Sequence, residues 1–387
     1  MLYLSSFFLM LIPFSYAFAS GFRLLLVQVV IAFCVLLVSA VKIGSVRVSL
    51  TDICTFLLVL VLGGQAVVSG YFNEFFALTV FILLLYSSSA IFRVTPSGSF
   101  DFFVGIYAFS ALLSALGVIF QWGVHRFLNI EIFNYQLFGG GRNAYGFVWS
   151  DYSFLSLYLA SAIPLLFGRL PNLLFLAFSF LLTFASIVTS ARTGVAALVI
   201  FLVLFVGLEF LRALLVRRVK KYLVFIGVIF LIMPFFMLYG LENLTGRALT
   251  ASSSGRFDGF VKGWDYFSDN AIFGALMDKD FFSEQISTIP HNIFLYMLFM
   301  GGVSVFMVFV FWFASVIREI RCADGRVLSS LLICFIGFQF IPSFFSAYFV
   351  AVLLGMGLSS SHEKRISAVS NKVHYQLQPR SNYQSQP

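Results

Sequence analysis

The sequence predicts an all-α polytopic membrane protein, with about 12 transmembrane helices and one long external loop carrying short amphipathic helices. Three observations predict this fold. Of 387 residues, 60% are hydrophobic and 10% charged, with mean hydropathy +0.99, far from the roughly one-quarter charged norm of soluble domains. Apolar runs recur at about 20 residues, the length that crosses a hydrocarbon core of about 30 Å at a rise of about 1.5 Å per residue. Residues 241–290 break that pattern with a mostly polar stretch, and long insertions of this kind carry work done outside the bilayer.

Taken in order, the expected spans are 2–19, 22–41, 51–68, 72–92, 101–121, 151–167, 172–189, 194–211, 222–239, 292–316, 327–341 and 344–358. The last two are short and separated by Pro342, which suits a tight hairpin. No Lys or Arg precedes the first apolar run, so the small-x-small triplet Ala17-Phe18-Ala19 reads as part of an uncleaved span. With the N-terminus inside, 16 of the 24 Lys and Arg fall on cytoplasmic segments, among them Lys42, Arg93, Arg169, Arg217, Arg218 and Arg326. That bias is the positive-inside rule. The net charge of +8 therefore reports membrane orientation and excludes nucleic acid as a partner. Both ends are then cytoplasmic and the long loop external. The chain divides into a transmembrane domain over 1–360, which includes loops at 122–150 and 241–290, and a Ser/Gln/Asn-rich cytoplasmic tail over 361–387 that reads as disordered. Cys34, Cys54, Cys322 and Cys334 all fall in spans or on the cytoplasmic side, so no external disulfide is expected.

Two external segments concentrate polar chemistry. The first holds His125, Arg126, Glu131, Gly139-Gly140-Gly141, Arg142 and Asn143, with Asp151 opening the next span. The glycines lack the Walker spacing and its Lys, and read as a flexible turn. In the second, Ser252-Ser253-Ser254 offers N-caps to a helix running through about Phe267. Its spacing puts Phe257, Phe260, Val261, Trp264 and Phe267 on one face and Asp258, Lys262 and Asp265 on the other, with Arg256 on the border. An amphipathic helix lying on the membrane surface explains that pattern without catalysis, and Trp264 suits an interfacial anchor equally well. Arg192 occupies a tight connection, Ser190-Ala191-Arg192-Thr193-Gly194. An isolated interfacial Arg commonly snorkels to headgroups. Three external arginines, Arg142, Arg192 and Arg256, at one membrane level suit a diphosphate instead, because the guanidinium fork donates bidentate hydrogen bonds and stays charged.

His291 closes the long loop. A histidine at a span terminus often serves as a hydrogen-bonding cap, but Asn292 beside it and the loop before it favour a chemical role. Asp278-Lys279-Asp280 has DxD spacing, yet paired carboxylates are common on solvated loops, and no HExxH, Cys cluster or paired-His spacing is present. No metal and no cofactor is expected.

Together these residues resemble the O-antigen ligase and polymerase superfamily. The resemblance rests on Ser190-Ala191-Arg192-Thr193-Gly194 entering a span, Arg256 with Trp264, Asn270-Ala271-Ile272-Phe273-Gly274, His291-Asn292, and Gly301-Gly302 within the next span. Arg142 with Gly146-Phe147, Asp151 and Ser153 looks like the segment of the polymerase (Wzy-type) branch. Where the family commonly has Pro and a second Gly around the Asn-to-Gly motif, this chain has Ala271 and Ala275-Leu276. The resemblance implies a glycosyltransferase of the bacterial inner membrane in lipopolysaccharide biosynthesis, with a periplasmic long loop and undecaprenyl-diphosphate-linked oligosaccharide as donor and acceptor. Membrane lipids surround it, and a chain-length regulator and a flippase are the protein partners such a pathway supplies.

On this reading Arg256 and Arg192 stabilise the departing diphosphate, and His291 takes the acceptor proton, with Asp258, Asp265 and Glu284 as rival bases. Arg142, Asp258, Lys262, Trp264, Asp265 and Asn292 bind substrate. The motifs alone leave a ligase that transfers glycan to lipid A core as the alternative. A lipid-oligosaccharide flippase is disfavoured, because no internal repeat is visible and the polar residues gather at one interface.

Overall fold

Inside a bilayer every backbone amide must find its partner within the segment, which leaves the helix as the form for these apolar runs. The computed structural model describes residues 18–19, 22–43, 48–94, 99–138, 142–215, 256–286 and 289–361. Among them, α1 (Leu24–Ile43), α2 (Leu50–Ser69), α3 (Asn73–Val94), α4 (Ser99–Leu128) and α10 (Ile293–Ile320) contain stretches long and apolar enough to cross a membrane. Five further apolar helices accompany them: α5 (Tyr152–Leu166), α6 (Asn172–Val188), α7 (Thr193–Leu215, apolar over Thr193–Leu208), α11 (Gly325–Gly337) and α12 (Tyr348–Ser361). The polar loop contributes α8 (Arg256–Asp269) and α9 (Lys279–Ile286). Two short antiparallel strand pairs complete the list: β1 (Phe18–Ala19) with β2 (Phe22–Arg23), and β3 (Tyr135–Phe138) with β4 (Arg142–Tyr145). The expected span at 222–239, most of that at 2–19, the serines 252–254, the glycines 139–141 and the tail lie outside the described residues.

Local chemistry explains the boundaries. Ser49 and Asp52 form a reciprocal capping box at the start of α2, and Gly70 ends that helix in the left-handed conformation. Asp151 caps α5 by accepting the Ser153 and Phe154 amides, Asn292 caps α10, and Asp324 caps α11.

The helices gather as two groups around α12. Helices α4, α5, α6, α7 and α11 pack on one another, and α1, α2, α3 and α10 form the other set, with α8 laid on α10. Every residue of α12 from Phe349 onward is buried, as a helix enclosed by protein requires. Its glycines permit close contact: a Cβ on Gly355 would meet the Leu85 carbonyl oxygen at 2.6 Å. Phe349 packs on Trp149 and Tyr158 of one group, while Phe344 and Phe345 meet Phe81, Phe309 and Trp312 of the other. Outward-facing Leu26, Phe33, Phe56 and Phe311 are exposed in the isolated chain, as lipid-facing side chains are.

Two hydrogen bonds fix the relative direction of α2 and α10. Thr51 donates to Ser315 (3.2 Å) near one end, and Gln65 donates to the Gly301 carbonyl (2.9 Å) near the other. Following the chain from there, the β3–β4 hairpin, the α6–α7 turn, α8, α9 and His291 all open on one end of the bundle. At the opposite end Asp101 accepts hydrogen bonds from Arg169 and Arg326, both 2.7 Å, joining two of the segments expected to be cytoplasmic. Asp101 is mostly exposed, so these pairs mark a shared level more than they add stability.

Candidate functional site

The loop does not simply lie on the bundle; part of its backbone is built into it. Helix α10 breaks at Gly302, where φ is 68° and ψ is −175°. Gly302 lies about 14 Å along the helix from Ile293, at membrane depth, where freed backbone groups need partners. Residues 271–277 supply them. The Val303 amide donates to the Ala271 carbonyl (2.8 Å) and that of Ser304 to Ile272 (3.2 Å). In return the Ala275 amide donates to Phe299 (3.2 Å) and that of Met277 to Met300 (2.9 Å). Gln65, itself buried, donates from Nε2 to Gly301, Phe273 and Ser304. The Asn270-to-Gly274 motif and Gly301-Gly302 are thus two halves of one joint.

Helix α8 rests beside that joint. Gly259 and Gly263 form its buried stripe, and a Cβ on Gly263 would come within 2.8 Å of the Phe299 ring. Trp264 is half exposed and packs on Phe260, Phe267 and Phe299. Tyr266 turns the other way, onto Phe281 and Phe282 of α9. The expectation of one apolar face is therefore refined. The buried stripe is glycine, flanked by Phe260, Val261 and Trp264, which stay about half exposed.

Phe260 leads to the histidine. With Pro290, His291, Asn292, Leu295, Gln339 and Phe340 it lines an open cleft of about 230 Å³. His291 is exposed, and its Nδ1 lies 2.8 Å from the Ile289 carbonyl oxygen. A carbonyl only accepts, so Nδ1 carries a proton, which leaves Nε2 as the nitrogen that faces away from this bond. Asn292 has structural duties: Oδ1 accepts the Phe294 and Leu295 amides, and Nδ2 donates to Gln339 Oε1 (2.8 Å). It anchors the helix start and the cleft wall.

The other expected site residues fall as follows. Arg256 is the first residue of α8, one turn before Phe260, which lines the His291 cleft, and two before Trp264; Asp258 follows Arg256 in the same first turn. Lys262 and Asp265 are exposed on α8, and Glu284 on α9. Arg192 and Arg142 belong to other connections at the same end. The Arg192 turn is seated on α5, where Ser156 Oγ accepts the Gly194 amide (3.1 Å) and donates to the Ala191 carbonyl (3.2 Å). A Cβ on Gly194 would lie 2.1 Å from the Ser156 carbonyl oxygen, so glycine is needed there. Arg142 pairs with Phe138 across the hairpin. Gln121 clamps this hairpin to α4 by donating to the Ile132 carbonyl (2.7 Å) and accepting the Phe147 amide (2.7 Å). His125 stacks on Tyr135 and hydrogen-bonds Tyr145, whose hydroxyl burial pushes up to about 12.

The DxD spacing resolves into a helix start. Asp278 Oδ1 accepts the amides of Asp280 and Phe281, and Lys279 turns inward to pair with Glu74. Among the described residues no three His, Cys, Asp or Glu side chains group as metal ligands do. All four cysteines are free. Gln65, Glu74 and Gln339 were not singled out in the sequence; each is one polar residue in or beside an apolar run, where hydropathy averages it away.

No curated protein matches the chain significantly. Residues 177–310 match the family model described as O-antigen ligase, a range that contains Arg192, Arg256, Trp264, the Asn270-to-Gly274 segment, His291 and Gly301-Gly302. That match bears out the resemblance at the level of the superfamily, over residues 177–310.

Proposed function

We propose that the protein is an O-antigen polymerase of the bacterial inner membrane, joining undecaprenyl-diphosphate-linked repeat units at the periplasmic face, with both termini cytoplasmic. The observation that carries this reading is the cleft in which His291, its proton held on Nδ1, stands beside the helix that begins with Arg256. Glycosyl transfer from a lipid diphosphate needs a base for the acceptor hydroxyl and cations for the leaving group. His291 Nε2 takes the acceptor proton as that oxygen bonds to the anomeric carbon. The bond from this carbon to the diphosphate breaks, and its electron pair leaves with the diphosphate, held by Arg256, Arg192 and Arg142. A single displacement inverts the anomeric centre and requires no metal. Lys262, Trp264, Asp258 and Asp265 line the approach of the sugar chain, while Asn292 fixes the cleft wall.

The second reading is a ligase that transfers finished glycan to lipid A core, favoured by the description of the matched family. The Arg142 segment favours the polymerase. Deleting the gene and resolving the lipopolysaccharide on a gel separates them. Core bearing one repeat unit, with a ladder restored by the wild-type gene, supports polymerase. Core without repeats, together with accumulated long lipid-linked glycan, supports ligase. An unchanged ladder refutes both.

A further inference from the structure

The long loop is fastened to the N-terminal helices at a point the chemistry above does not use. Glu74, in the first turn of α3, is 3% exposed, and its carboxylate pairs with the ammonium of Lys279, the first residue of α9. The same ammonium lies 5.6 Å from the ring centroid of Tyr296, a fully buried side chain of α10. One cation thus draws together a loop helix, α3 and α10. A buried ion pair is weak evidence of stability, since desolvation offsets most of the attraction, but losing one partner strands a charge. Its best-attested use is to fix register, and the contacts beyond Lys279 show what register that is. Phe282, one turn along α9, is fully buried and packs on Tyr266, and Gly263 approaches the same ring. Tyr266 and Gly263 belong to α8, which carries Arg256 and brings Phe260 to the cleft of His291.

Building on the transferase reading above, we infer that Glu74 and Lys279 are positioning residues that set α8, and with it Arg256, against His291. Neither touches substrate; both act through α9. Their loss lowers turnover more than it lowers affinity or protein level.

The test uses the full-length protein in nanodiscs with a synthetic polyprenyl-diphosphate-linked repeat unit. The variants are Lys279→Met, Glu74→Gln with Lys279→Met, Lys279→Arg, and the swap Glu74→Lys with Lys279→Glu. The neutral double variant removes the pair without stranding a charge, so it folds even if Lys279→Met does not. We expect kcat about tenfold or more below wild type in the neutral double variant, with KM within about threefold and an unchanged melting midpoint. Lys279→Arg and the swap should recover most of the rate. A second readout is independent of turnover: spin labels at Ser268→Cys on α8 and Gln136→Cys on β3, with Cys34 and Cys322 replaced by Ala. The label distance should be single in the paired chains and broadened in the neutral double variant. Wild-type kcat and an unbroadened distance in that variant would overturn the inference. A distance that is single in wild type and broadened in the neutral double variant, with a wild-type protein that transfers no sugar, would uphold the positioning and overturn the transferase reading instead.

Discussion

A Cβ placed on Gly274 would lie 2.5 Å from the backbone nitrogen of Gly302. Both glycines sit at positive φ, 59° and 68°, and their backbones meet where α10 breaks and the loop crosses it. Ala at either position adds an atom where there is no room and takes a conformation L-residues avoid. Each of Gly274→Ala and Gly302→Ala should therefore destabilise the protein by about 1–3 kcal/mol. A lower melting midpoint in detergent and reduced membrane abundance check this. Gly123→Ala, with nothing within 4 Å of its added Cβ, should leave both unchanged.

His291→Ala should reduce sugar transfer by about 10²–10⁴-fold, the usual contribution of a positioned base, at wild-type protein level. Asn292→Ala differs in kind. It removes the α10 cap and the bond to Gln339, so its first effect is a stability loss of about 1 kcal/mol, read as a lowered melting midpoint.

How much of this was legible in the sequence differs by element. Spans could be read because lipid forces the backbone into helices: α1, α2, α3, α5 and α6 lie within about two residues of the expected ranges, while α4 runs on to Leu128 and α7 to Leu215. The side of α8 that would pack could not be read the same way. In water an apolar face points inward, whereas here Phe260 and Trp264 rest on Phe299 yet stay about half exposed, and the buried positions of the stripe are Gly259 and Gly263, which hydropathy does not register. The helix break at Gly302 was hidden for a related reason. Gly301-Gly302 sits within an unbroken apolar run, and only the loop backbone docked against it makes the break favourable. Arg256 and His291 stood out because they belong to one long polar loop that ends at an apolar run. Glu74 did not, since its partner Lys279 lies far along the chain.

Arg256→Lys keeps the charge and loses the fork. Turnover should fall about tenfold or more if Arg256 grips the diphosphate in two places. Kinetics on the purified variant check this; a wild-type rate would assign Arg256 a merely electrostatic role.

Asp278 serves the α9 start, so Asp278→Ala should cost about 1 kcal/mol of stability, read as a lower melting midpoint. Exhaustive chelation of divalent ions should leave transfer unchanged. A loss of activity restored by Mg²⁺ or Mn²⁺ would return the Asp278 and Asp280 carboxylates to the reaction.

The most direct measurement is transfer by the purified protein in nanodiscs supplied only with polyprenyl-diphosphate-linked repeat units. Wild type should build a ladder of lipid-linked oligomers and release one polyprenyl diphosphate per linkage, with inverted anomeric configuration by NMR, and His291→Ala at equal amount should do neither. A ladder made by His291→Ala at the wild-type rate, or no transfer by a folded wild-type protein given both donor and acceptor, would contradict the account.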